Sequence, residues 1–183
     1  MFSLPESYSL STAQLDDTSE VADFLQLQYR LAYQHDTGLD PEFFSSRRFR
    51  NRLEDYLEFQ IDDPHTQLLL ARKAEVVKGT IGLVFDRVRA QRAKVWGFYV
   101  DQAAQGNGLG RGLWSHTMEV ARLSGVEDVY LEVAKGATEA IEFYQNRGLV
   151  VTDETKSTWP GNWGGLMVET SFLTMERSGI IEQ

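Results

Sequence analysis

The sequence contains no cysteine among its 183 residues. This absence excludes a disulfide framework, a thiolate metal site and a cysteine nucleophile. The three histidines, His35, His65 and His116, are scattered and show no spacing typical of metal ligands. We therefore expect a protein that needs no metal ion.

Long apolar runs and an excess of positive charge are also missing. No stretch approaches the roughly 18 to 20 apolar residues of a membrane span, and residues 1–7 lack the basic and apolar regions of a secretory signal. The net charge of -9 argues against sequence-independent binding to nucleic acid, which depends on neutralising phosphates. We expect a cytoplasmic protein, whose acidity favours a cationic partner such as an amine or simply keeps the protein soluble.

The periodicity of the apolar residues predicts one α/β (α+β) domain over residues 1–183, with helices packed on one mixed sheet. Helices are expected after the capping residues 16–19, after Asp40-Pro41, and over 108–124 and 138–147. Strands are expected over 8–15, 67–72, 80–88, 95–100, 129–133 and 166–175. The predicted order is β-α-α-β-β-β-α-β-α-β-β, in which the penultimate strand has no defined bounds.

The most informative segment is 100–113, Val-Asp-Gln-Ala-Ala-Gln-Gly-Asn-Gly-Leu-Gly-Arg-Gly-Leu. Its glycines occupy alternate positions at a predicted helix start, although each costs about 1 kcal/mol relative to alanine inside a helix. Glycine permits positive φ and close approach of another group, and the first helical turn presents unpaired N–H groups with partial positive charge. The combination indicates a cradle for a diphosphate.

Two other phosphate-binding loops are excluded by counting. The dinucleotide fingerprint Gly-x-Gly-x-x-Gly fails in every register, because its last position falls on Arg111, Leu113 or Ser115. The Walker loop fails because the sequence has no Gly-Lys pair. A glycine-rich turn without any ligand is the remaining alternative.

The turn resembles the pyrophosphate loop of the GNAT superfamily of acyl-CoA-dependent N-acetyltransferases, Gln/Arg-x-x-Gly-x-Gly/Ala. Gln105, Gly108 and Gly110 match this pattern, and Val100 matches the end of the strand that lies along pantetheine. The resemblance implies a GNAT-like, mostly antiparallel central sheet of about seven strands flanked by helices. It also implies that acetyl-CoA is the cosubstrate. The cofactor-binding residues would be Phe98, Tyr99, Val100, Gln105, Gly106, Asn107, Gly108, Leu109, Gly110 and Arg111.

A second segment, 131–149, is similar to the GNAT signature Asn-x-x-Ala-x-x-Phe-Tyr-x-x-x-Gly-Phe. The matching residues are Ala140, Phe143, Tyr144 and Gly148. Ala137 stands where the family has asparagine. The resemblance implies that Tyr144 protonates the departing thiolate, whereas periodicity alone favours a buried side chain on an amphipathic helix.

The general base has two candidates. A primary alkylamine, with a pKa of about 10.4, must lose a proton before it attacks. Many relatives carry a glutamate on the strand before the turn, but residues 94–100 include no acidic residue. Glu132, on the adjoining strand, and Asp86 are the candidates, with ordinary surface exposure as the alternative for each.

The sequence thus predicts direct transfer of an acetyl group from acetyl-CoA to a primary amine of a small molecule or peptide. The main alternative is a non-catalytic acyl-CoA-binding module, favoured by Ala137 and by the missing acid on the strand. The tryptophan-containing loop 159–165 is expected either to flank the acceptor cleft or to form a homodimer contact. One further group of residues is expected to form a solvated helix face, with binding of the 3'-phosphate of CoA or of an acidic acceptor as the alternatives: Arg47, Arg48, Arg50 and Arg52.

Overall fold

The computed structural model describes residues 4–33, 41–159 and 168–180. Its strands are β1 (Ser9–Thr12), β2 (Thr66–Lys73), β3 (Val76–Phe85), β4 (Arg92–Val100), β5 (Asp128–Ala134), β6 (Val150–Trp159) and β7 (Val168–Arg177). Its α-helices are α1 (Thr18–Tyr33), α2 (Pro41–Ser45), α3 (Arg47–Asp62), α4 (Leu109–Leu123) and α5 (Thr138–Gln145).

The strands form one sheet in the order β1-β2-β3-β4-β5-β7-β6. Only the β4–β5 pair is parallel among the pairings of the described strands, and the others are antiparallel. The mixed, mostly antiparallel sheet of seven strands predicted by the family resemblance is therefore confirmed.

Helices cover both faces of the sheet because the central strands are apolar on both sides. On β2, Leu69 and Ala71 belong to the core beneath α4 and α5. Their neighbours Leu68 and Leu70 point the other way, into the core beneath α1, α2 and α3. No helix in the described ranges is long and apolar enough to cross a membrane.

The chain from Pro41 to Asp62 forms two helices, so the prediction of one helix is wrong. Ser46 adopts an extended conformation, and its side chain accepts a hydrogen bond from the Phe49 N–H at 3.1 Å. This N-cap starts a new helix at Arg47, because it satisfies one of the first unpaired donors. Within the described part of the chain, three α-helices therefore precede β2 instead of two.

A gap opens between the two parallel strands at the middle of the sheet. β4 and β5 pair only over 92–94 and 128–130. Beyond Lys94, β4 bends at Gly97, which has a φ of 56° and lies where the register with β3 shifts. Thr80 fixes the bend, because its hydroxyl donates to the Gly97 carbonyl at 2.6 Å. Among the described strands, none pairs with the edge of residues 95–100 that faces β5.

Candidate active site

The chain leaves β4 through a turn that side chains hold in place. The Asp101 carboxylate accepts a hydrogen bond from the Ala103 N–H at 2.9 Å and forms an ion pair with Lys78 at 3.0 Å. The Gln105 side-chain amide donates to the Val100 carbonyl at 3.2 Å. Gln105 thus joins the glycine turn to the end of β4, a contact that requires a side-chain donor at this position.

The glycines after Gln105 shape the start of α4. Gly106 and Gly108 have φ values of 74° and 84°, a region that residues with a Cβ rarely adopt. The first helical hydrogen bond runs from the Gly112 N–H to the Gly108 carbonyl at 2.9 Å. The N–H groups of Leu109 and Gly110 precede this bond, so no helical carbonyl satisfies them. They point out of the positive end of the α4 dipole, where an anion is favoured.

The turn, the end of β4 and helix α5 meet beside Gly110. A Cβ placed on Gly110 would lie 3.6 Å from Val100 Cγ2, 3.7 Å from Phe98 Cζ and 3.9 Å from Phe143 Cε2. By contrast, a Cβ on Gly106 or Gly108 would meet nothing within 4 Å. The open side of the turn therefore continues into the unpaired edge of β4.

Tyr144 lies at this same place, on the inner side of α5. Its ring contacts Phe98, Trp114 and Phe143, with centroid distances of 6.4, 5.7 and 5.6 Å. The residue is only 8% exposed. Burial, with a smaller effect of Tyr33, raises the pKa of the Tyr144 phenol above its ordinary value. Tyr144 is therefore a neutral O–H donor throughout the physiological pH range.

Three further tyrosines face the gap from the side of α1. Tyr29 and Tyr33 are four residues apart on α1, and the Tyr29 ring lies 5.2 Å from the Tyr99 ring between centroids. Tyr99 shares side-chain hydrogen bonds with both, and burial raises its pKa well above the ordinary value. The roles of Tyr29 and Tyr33 here were missed by the sequence analysis. Their i, i+4 spacing indicates a shared helix face, but nothing local indicates that this face meets Tyr144.

Glu132 is at the mouth of the gap, two residues beyond the last β5 residue that pairs with β4. Its neighbours Leu131 and Val133 are buried beneath α4 and α5, so Glu132 points to the opposite face of the sheet. Its side chain is 51% exposed and forms an ion pair with Lys94. The carboxylate is thus accessible to solvent from the side of α1 and α3.

Asp86, the other candidate base, has a structural role in a turn. Its carboxylate accepts hydrogen bonds from the N–H groups of Val88 and Arg89 at 2.8 and 3.0 Å, and these lower its pKa. The preceding residue Phe85 pairs with Ala93, near the end of β4 that is farthest from the glycine turn. The geometry therefore favours Glu132 over Asp86.

The remaining candidates lie elsewhere. The arginines of α3 are on the face of the sheet opposite to α4, and Arg50 forms ion pairs with Asp23 and Glu54. This arrangement argues against a role for Arg50 beside the turn.

His116 is exposed on α4, whereas His35 and the loop 160–165 lie outside the described residues. Within the described ranges, no group of acidic or histidine side chains could hold a metal ion.

Comparison with solved structures shows which proteins share this architecture. The chain is 16% identical to the PaiA N-acetyltransferase of Thermoplasma acidophilum in complex with coenzyme A, with a TM-score of 0.73 and coverage of 94% of this chain and 99% of that one. YncA of Salmonella typhimurium with its cofactor acetyl-CoA is 18% identical, with a TM-score of 0.64 and coverage of 97% and 96%. An acetyltransferase of the GNAT family from Streptococcus pneumoniae is 20% identical, with a TM-score of 0.66 and coverage of 93% and 98%.

These likenesses establish the fold, and the sequence itself establishes the family. A comparison with curated protein sequences finds no match. The model of the acetyltransferase (GNAT) family, however, matches residues 27–149, which is more than half of the chain. This range contains the glycine turn, the gap between β4 and β5, and Tyr144. The protein belongs to the acetyltransferase (GNAT) family.

Proposed function

We propose that this protein transfers the acetyl group of acetyl-CoA directly to the primary amine of a small molecule or peptide. The observation that carries the proposal is the meeting of the glycine turn, the unpaired edge of β4 and Tyr144 at one place. The relatives solved with coenzyme A and with acetyl-CoA support the choice of cosubstrate.

The cosubstrate is held mainly by backbone groups in this proposal. The diphosphate of CoA lies on the N–H groups of residues 105–111 at the start of α4. Pantetheine pairs with Phe98–Val100 in the manner of an added strand, which uses the edge that β5 leaves unpaired. A backbone N–H of the same strand polarises the thioester carbonyl.

The reaction needs one general acid and one general base. The amine nitrogen attacks the thioester carbon, which forms the C–N bond and places negative charge on the former carbonyl oxygen. Collapse of this tetrahedral intermediate restores the C=O bond and breaks the C–S bond. Tyr144 donates its phenolic proton to the departing sulfur, and the base takes a proton from the amine. Solvent then takes the proton from the base and returns a proton to Tyr144.

The acid and the base reach the gap from opposite faces of the sheet. Tyr144 is in the core beneath α4 and α5, whereas Glu132 points to the side of α1 and α3. We therefore assign the entry of the amine to the face of Glu132, and the departure of the thiol to the face of Tyr144. On this face the Glu132 carboxylate forms an ion pair with Lys94.

Replacing Glu132 by glutamine should lower kcat/KM for the amine by about 10- to 100-fold at pH 7. The loss should shrink as the pH rises, because the amine then loses its proton without help. A pH profile of the steady-state rate measures both effects. The variant Lys94→Gln is the control, since it removes the ion pair but keeps the carboxylate and should remain active. Equal rates for wild type and Glu132→Gln at every pH would exclude Glu132 as the base.

A non-catalytic acyl-CoA-binding module is the second candidate, favoured by the start of α5. Ala137 is the N-cap of this helix and provides no side-chain hydrogen bond, whereas the family pattern has asparagine there. Incubation of the protein with acetyl-CoA and a panel of amines, with free thiol as the readout, separates the candidates. The enzyme releases thiol with at least one amine. The module binds acetyl-CoA in a calorimeter but releases none.

Three predictions from the sequence complete the proposal. We expect a single domain over residues 1–183, a cytoplasmic location, and a loop 159–165 that either flanks the acceptor cleft or forms a homodimer contact. The last of these is checked by sedimentation of the wild-type protein.

A further inference from the structure

A groove of about 1130 Å³ runs between α4 and α5 and begins beside the glycine turn. Phe143 connects the two features, because it lines the groove and also lies 3.9 Å from a Cβ placed on Gly110. Four cationic side chains line its walls. They are Arg111 and Arg122 from α4, Arg147 just after α5, and Arg177 from β7.

Two contacts hold the Arg147 guanidinium in this groove. Its guanidinium carbon lies 3.2 Å from the centroid of the Phe143 ring, and its NH1 group donates to the Phe143 carbonyl at 2.6 Å. Burial, followed by the nearby charge of Arg111, lowers the pKa of Arg147 to about 10. The guanidinium charges of Arg111 and Arg147 therefore lie close together beside the turn. An anion bound between them would offset their mutual repulsion.

The other cations and the acids of the groove are arranged differently. Arg122 forms two hydrogen bonds to the Glu119 carboxylate, at 2.9 and 2.7 Å, so this pair is internally neutralised. Arg177 donates to the Arg147 carbonyl at 3.0 Å. The carboxylates of Glu139 and Glu142 also line the groove. Among the described residues, Arg147 forms no ion pair with any of these acids.

We propose that Arg147, together with Arg111, binds the 3'-phosphate of CoA and so selects the phosphorylated cosubstrate over its dephospho form. This assignment rests on the proposed function, in which the N–H groups of the turn take the diphosphate. The groove leads from that turn past Phe143 to the two guanidinium groups. A phosphate monoester carries close to two negative charges, which two arginines match with charge-assisted hydrogen bonds.

The test compares kcat/KM for acetyl-CoA and for acetyl-dephospho-CoA in the wild type and two variants. The wild type should prefer acetyl-CoA by about 10- to 100-fold, and Arg147→Gln should reduce this ratio to about threefold or less. Arg122→Gln is the matched control in the same groove and should keep the wild-type ratio. Arg147→Lys, which keeps the charge, should retain part of the preference.

A wild-type ratio near one would overturn the proposal. Equal losses with both cosubstrates in Arg147→Gln would overturn it too, because a purely structural role of the stacked guanidinium affects them alike. If the wild type releases no thiol with any amine, the proposed transfer reaction fails instead. The same preference is then measured by calorimetry as the ratio of the Kd values for dephospho-CoA and CoA. A ratio near one would contradict the assignment of the 3'-phosphate site, and a ratio of about 10 or more would support it.

Discussion

Replacing Tyr144 by phenylalanine is expected to lower kcat by about 10- to 1000-fold, with little change in KM for acetyl-CoA. The substitution removes one hydroxyl group and keeps the ring that packs against Phe98, Trp114 and Phe143. The fold and the cosubstrate site should therefore persist, while the thiolate leaves without a proton donor. Steady-state release of free thiol, measured at saturating acetyl-CoA and amine, gives the two parameters.

Burial makes Tyr144 a weaker acid, which bears on its ability to protonate the departing thiolate. A phenol with a raised pKa gives up its proton less readily in water. A thiolate released into the same buried place is destabilised by the same loss of solvation, which raises the pKa of the CoA thiol as well. Proton transfer therefore depends on the difference between the pKa of the Tyr144 phenol and the pKa of the thiol, more than on either value alone. Because the pKa of Tyr144 is raised, the phenol should stay protonated between about pH 7 and pH 9. Deprotonation of Tyr144 should therefore not lower kcat in this range.

The control for Tyr144 is another tyrosine that lies outside the gap. Tyr130 is on β5, where Arg92 covers its ring at 4.0 Å. Tyr130→Phe makes the same chemical change and should keep kcat within about twofold of wild type. If Tyr144→Phe also stayed within that range, Tyr144 would not be the general acid.

Replacing Gly108 by alanine is expected to raise KM for acetyl-CoA by about 10- to 100-fold. Gly108 has a φ of 84° and is the N-cap of α4, so a methyl group there is strained by about 1 kcal/mol or more. The methyl group would also project into the open side of the turn, where the diphosphate must approach the backbone. Initial rates over a range of acetyl-CoA concentrations measure the change.

The other end of the same helix provides the matched control. Gly125 has a φ of 78°, and a Cβ there would also meet nothing within 4 Å. Gly125→Ala should lower the free energy of unfolding by about the same 1 kcal/mol but leave KM for acetyl-CoA unchanged. An equal rise of KM in both variants would mean that Gly108 affects only stability.

Much of the sheet could be predicted because its signals are local. β2, β3 and β4 contain apolar runs bounded by polar turns, and the predicted bounds differ from the observed ones by a few residues. The break at Ser46 was missed, because the apolar pattern continues on both sides of it, through Phe44 and Phe49. The cap is visible only once the Ser46 side chain is seen to accept from the Phe49 N–H.

In the candidate site, too, local features could be predicted from the sequence, whereas contacts between distant segments could not. The glycine turn is continuous in sequence, so its spacing alone indicated a helix start built for an anion. The approach of Tyr33 to Tyr144, and of Arg111 to Arg147, joins residues far apart in the chain. No local pattern predicts such contacts. The bend at Gly97 was missed as well, since it depends on the Thr80 hydrogen bond from the neighbouring strand.

The central claim is that the exposed N–H groups at the start of α4 hold the diphosphate of CoA. An NMR titration of the ¹⁵N-labelled protein with CoA tests it most directly. The amide signals of Gly106, Gly108 and Gly110 should shift most and saturate together. Saturating CoA that left these three signals unmoved would contradict the account.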